Sequence, residues 1–222
     1  MSMHRVAAPK RIRLLALALL AGVSAGPVFA QGTSVLPIAD AKSRQAVERV
    51  IASAEAKGLP TQPLVAKAME GVTKRATGER IRVAVDSLAK RLEQARALLA
   101  PSPSAAEIVS GADALAVSVP GPMLKKIRAS WPKTQSVVMP LDVLTELVAR
   151  GIEANKALEQ ITTLMARGAT PAHIAGLGAS VQSDVAAGLA PDAALEVRAR
   201  GVMSLLPSPA AQAAGAPRGT KP

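Results

Sequence analysis

Apolar residues recur along most of this chain at three- and four-residue steps, the spacing of one face of an α-helix. The clearest run is Ile81, Val85, Leu88, Leu92, Ala95 and Leu99. Its heptad-like seam is under three heptads long, so it is expected to pack against neighbouring helices of the same chain. Before it, Asp40 reads as an N-cap for a helix carrying Val47, Val50, Ile51 and Ala54, stopped at Gly58. Pro63 opens a second helix with Leu64, Ala68, Met69 and Val72 on one face.

After Pro101-Ser102-Pro103, the stretch Ser104 to Glu107 has the form of a capping box for a helix with Ile108, Ala112, Leu115 and Val119 inward. Pro120-Gly121-Pro122 is expected to end that helix. A short one follows, with Leu124, Ile127 and Trp131 on one side. Residues 132–140 read as a connection. Leu141, Leu144, Leu147 and Val148 mark another helix, ending near Gly151.

A rhythm then sets in. Gly151, Gly168 and Gly188 each close a helix, and an apolar residue follows six or seven positions later: Leu158, Ile174 and Leu195. Gly58 with Leu64 fits the same rhythm, and Thr170-Pro171 is a cap followed by a first-turn proline. Helix plus turn, taken in pairs, gives units of about 35–40 residues, the size of helical-hairpin repeats. The side chains do not repeat well enough to define a motif, so an irregular helix bundle stays open beside a short α-solenoid. No alternating strand pattern with hairpin turns is present. The expected fold class is all-α.

The two ends read differently. Residues 1–13 carry Arg5, Lys10, Arg11 and Arg13 and no acid; 14–23 is an apolar and Gly run; Val28-Phe29-Ala30 places small residues at −3 and −1 of a cut before Gln31. This is the layout of a secretory signal peptide, with Val23-Ser24-Ala25 as a second choice of cut. The apolar run is short of the roughly 20 residues that span a bilayer, and no later run is long enough, so no transmembrane span is expected after cleavage. Residues 31–39 form a lead-in, 40–206 the helical domain, and 207–222 a Pro/Ala/Gly-rich tail expected to be disordered. Export to the periplasm or beyond is the expected localisation.

Composition narrows the chemistry. Four of the 27 basic residues and none of the 16 acidic ones lie in 1–30, which leaves 23 against 16 beyond the expected cut. There is no Cys, so no disulfide, lipid attachment or thiolate metal site is available. One His, His173, and one aromatic ring, Trp131, remain after position 30. No cofactor is expected. The core must be built from Ala, Leu, Val, Ile and Met, a palette that lets helices approach closely.

GLPTQPLVAKAMEGV followed by ERIRVAVDSLAKRL, then AAEIVSGADAL and VPGPMLKKIRA, resembles a group of exported, uncharacterised all-helical bacterial proteins over roughly 40–205. The resemblance implies an exported helical protein and carries over no functional residues.

His173, Ser180 and Asp184 lie at i, i+7 and i+11, but seven residues at 1.5 Å separate His and Ser by about 10 Å along a helix, too far for nucleophile and base. Glu70–Lys74 and Asp86–Lys90 read as solvated i, i+4 pairs, and Asp113, Asp142, Asp184 and Asp192 read as single acids. Gly176-Leu177-Gly178 lacks the context of a phosphate loop. The candidate site is Lys125, Lys126, Arg128, Trp131 and Lys133: four cations around the one ring. Such a rim suits an anionic partner, a lipid head group or an envelope polymer. In the plainer alternative, Trp131 fills a groove between helices and the lysines are merely solvated. Nucleic acid is the least favoured partner, since no aromatic platform exists for bases. The expected function is a non-enzymatic scaffold or interaction protein of the cell envelope. The alternatives are an anion-binding module docking on membrane or cell-wall polymers, and an enzyme of unrecognised type.

Overall fold

A computed structural model describes residues 36–207. The expected signal peptide, the start of the lead-in and the tail from 208 lie outside the described residues. Among these, nine α-helices and no strands are present: α1 Ala41–Ala56, α2 Gln62–Thr73, α3 Gly78–Leu98, α4 Ala105–Ala116, α5 Gly121–Ser130, α6 Val138–Ala149, α7 Ala154–Ala166, α8 Pro171–Ala186 and α9 Pro191–Leu205.

Sequence-local signals set most boundaries. The Asp40 carboxylate accepts from the Ser43 amide at 2.8 Å and starts α1. Ser104 and Glu107 make the reciprocal capping box of α4. Thr170 caps α8 with His173 at the third position in place of the usual Glu or Gln.

Six helices end in the same way. The amide two residues beyond the C-cap reaches back to a carbonyl five positions earlier: Leu59 to Ala54, Ala76 to Gly71, Val119 to Ala114, Ile152 to Leu147, Ala169 to Leu164 and Leu189 to Asp184. This is the long bond of a Schellman motif, which requires a left-handed residue just before it. Gly58, Gly151, Gly168 and Gly188 supply it, as their spacing suggested; Arg75 (φ 54°) and Ser118 (φ 68°) supply it at the other two. In five of these turns the apolar residue sits one position before the cap of the next helix; Leu59 sits two before Thr61, with Pro60 between.

The helices stack in a repeat-like order. Each odd-numbered helix packs on the next odd one from α1 through α9, and α4, α6 and α8 form a second row. One apolar core runs from Leu36 and Ile38 through α1–α3 to Ile108 and Ala112 of α4. A second runs from Leu99 and Ala114 through α5–α9 to Leu206. Leu115 is only partly buried and packs against both.

Four expectations need correction. The lead-in is part of the core, since Leu36 and Ile38 are buried. Met69 is exposed, because the buried face of α2 is Leu64 and Ala68. Pro120-Gly121-Pro122 does not stop α4, which the Ser118 turn has already ended; it starts α5. Finally, α6 begins at Val138, with Pro140 in its first turn, where a missing N–H costs no helix bond.

Candidate functional site

The segment from Lys125 to Lys133 divides by environment. Leu124 and Ile127 are fully buried on the inner face of α5. Trp131, the residue after its last turn, leaves the helix with extended backbone and buries its ring in the second core, 4% exposed. The ring is therefore not presented to a partner, and its indole N–H has no hydrogen-bond partner. Of the two readings of this residue, packing between helices is what the structure shows.

Arg128 is also committed. Its Nη2 donates to the Pro132 carbonyl at 2.9 Å and to the carbonyls of Trp131 and Gln135 at 3.4 Å. Its Nη1 lies 3.3 Å from Glu107 Oε1. Glu107 is 6% exposed and serves three segments: Oε2 accepts from the Ser104 amide at 2.8 Å, and Oε1 accepts from the Val137 amide at 2.9 Å as well as from Arg128. Burial pushes its pKa up, but the amide hydrogen bonds and the Arg128 charge outweigh that and hold it below the usual carboxylate value. The capping box was visible in sequence. The bonds to Arg128 and Val137 were not, because they cross 21 and 30 positions of chain.

Lys125, Lys126 and Lys133 are exposed, and their side chains have no ion pair or hydrogen bond among the described residues. Lys125 and Lys133 line a groove of about 580 Å³ between α5 and the α3–α4 connection. Leu98, Pro101, Pro103 and Ala129 give it apolar walls, and the paired Glu107 and Arg128 line it as well. Lys126 and Trp131 do not line it.

The other candidates resolve into structure. His173, Ser180 and Asp184 lie along one unbroken helix, α8. The His173 ring nitrogen Nδ1 accepts from the Thr170 amide at 3.1 Å. Asp184 accepts two hydrogen bonds from Arg198 at 2.5 and 2.6 Å, and this pairing lowers its pKa. Asp192 pairs with Lys156. Glu70 pairs with both Lys67 and Lys74, which hold its pKa at about 2, and Asp86 pairs with Lys90. Asp113 and Asp142 are not independent: partial burial and the Asp142 charge push the Asp113 carboxyl up. No group of three or more His, Cys, Asp or Glu that would hold a metal ion occurs among the described residues, and no helix there is long and apolar enough to cross a membrane.

No protein-family model, curated protein or solved structure matches this chain.

Proposed function

We propose that this protein is an exported helical scaffold of the cell envelope, working by binding rather than by catalysis. The observation that carries this reading is how the polar side chains are used. Glu70, Glu79, Glu93, Glu107, Glu146, Asp184 and Asp192 are all tied into ion pairs that brace helices, and Asp40 into a cap. The lysines of the groove are left for something else. Stacked helices suit this role, since a solenoid spreads binding surface over successive units. The basic head, apolar run and small-residue cut site of 1–30 support export. Intact-mass measurement on the fractionated protein, with amine cross-linking in whole envelopes, tests both parts. A mass starting at Gln31 and a discrete cross-linked species are expected. A retained Met1 in the cytoplasmic fraction sinks the export claim, and the absence of any discrete adduct sinks the scaffold.

A second reading, an anion-binding module docked on membrane or cell-wall polymers, is favoured by one observation: Lys125, Lys126 and Lys133 stand unpaired on one short stretch. Each contributes at most about 1 kcal/mol of attraction to an anionic surface. Co-sedimentation with phosphatidylglycerol vesicles should then fall with salt and in Lys125→Glu/Lys126→Glu. Equal sedimentation of variant and wild type removes this reading.

A further inference from the structure

The groove between α5 and the α3–α4 connection has a composition that selects among anionic ligands. Its two unpaired cations are anchored apart. Lys125 lies within α5, and Lys133 lies beyond the last residue of that helix, Ser130. Five residues of helix alone put about 7 Å of axis between the anchors. The third cation of the lining, Arg128, is balanced by Glu107 and holds three carbonyls, so it adds little net charge. One small anion would leave a lysine unanswered. Two negative groups separated by roughly 7–10 Å would answer both, and that is the reach of two or three residues of extended chain.

The walls add a second requirement. Leu98, Pro101, Pro103 and Ala129 form an apolar surface beside the lysines. A polyphosphate has nothing apolar to place there, and a polyanionic sugar only the C–H face of a ring. A peptide with aliphatic or Pro residues between two acids has apolar side chains for it. The lining also includes Ala100 and Ser102, whose backbone N–H groups have no hydrogen-bond partner among the described residues. Such donors suit an extended main chain. A volume of about 580 Å³ lies within the usual range of about 300–1,000 Å³ for ligand sites.

We propose that this groove binds an extended acidic peptide segment of a partner protein, with two carboxylates two or three residues apart and apolar residues between them, engaged by Lys125 and Lys133. The proposal rests on the scaffold reading and names the chemistry of its partner.

The test is fluorescence anisotropy with a labelled peptide, Ser-Glu-Pro-Val-Glu-Ser, against the exported form of the chain. Competitors are the same peptide with Gln for both Glu, alginate, and phosphatidylglycerol vesicles. Saturable binding is expected, weakening as salt rises. Lys125→Gln/Lys133→Gln should weaken it at least about tenfold, while Lys126→Gln, on the same helix but outside the groove, should change it less than about twofold. All three sites are exposed, and unchanged helicity and melting temperature by circular dichroism verify the fold. The proposal is overturned by absence of saturable binding, by equal binding of the double variant, by equal loss in Lys126→Gln, or by equal competition from the Gln peptide. Alginate or vesicles binding where the peptide does not would also overturn it. If the peptide fails while the envelope adduct persists in the double variant, the groove assignment falls and the scaffold reading stands.

Discussion

Gly111 lies where three helices meet. A Cβ built there falls 3.0 Å from the Ala95 Cβ and from Leu99 Cδ1, and 3.4 Å from Leu124 Cδ2. The Ala95 Cβ moves only with the backbone of α3, so helix–helix distance is set by the missing methyl group. Gly→Ala in an open helix interior gains about 0.5–1 kcal/mol from backbone entropy, and Gly176 on α8 meets nothing within 4 Å. Gly176→Ala should therefore raise stability by about that amount, whereas Gly111→Ala should lower it by about 1 kcal/mol through overpacking; urea titration of the two variants reads both signs. At Glu107 the expectation concerns pH. Its folded pKa lies below the unfolded value of about 4.3, so its contribution is present above that value and is lost as pH falls through the folded pKa. Asp184, lowered by Arg198, acts in the same direction. Asp113 acts in the opposite one, since its raised pKa favours the folded state on protonation. Glu107→Gln should lower stability by about 2 kcal/mol at neutral pH, because an amide cannot accept from all three donors without repulsion. Its stability should also fall less steeply than wild type between about pH 5 and 3, a difference that urea midpoints across that range would expose.

The turn between helices is the most legible element. Four of the six Schellman turns carry Gly at the left-handed position, and these were placed by spacing alone. The turns at Arg75 and Ser118 were missed because the residue type gave no signal; the flanking hydrogen bonds hold a conformation that side chains resist. Arg75→Gly and Ser118→Gly should each raise stability by about 1 kcal/mol, visible as a higher melting temperature with unchanged helicity. A drop in either would show that the replaced side chain holds the turn by contacts worth more than its strain. The missed boundary at Pro120 has the same origin. Because Ser118 carries no residue-type signal for a turn, the Pro-Gly-Pro cluster is the first visible stop after α4, yet its proline geometry suits the start of α5. The candidate site was half legible. A run of four cations is visible in any reading, but which are free depends on Glu107 and on three carbonyls after the helix, contacts made only once the chain folds back.

Across the whole described chain, the all-helical class followed from the three- and four-residue periodicity. The glycine rhythm offered stacked hairpins beside an irregular bundle without choosing between them, because small apolar faces specify burial without naming the neighbour. The outcome is two cores that meet where α3, α4 and α5 converge: Ile108 and Ala112 of α4 serve one and Ala114 the other, and Ala95 and Leu99 at the end of α3 divide in the same way. Stacked helices hold together by nearest-neighbour interfaces, so each core carries its own share of the stability. Trp131 belongs to the second core alone, and it is the one tryptophan of the sequence. Its emission therefore watches a single half of the molecule, while circular dichroism at 222 nm averages over every helix. Titrated together with urea, the two signals should give different midpoints, the dichroism curve being broader; superimposable curves would mean that α4 couples the halves into one cooperative unit. The lone indole thus makes the protein its own spectroscopic clock for the order in which its halves come apart.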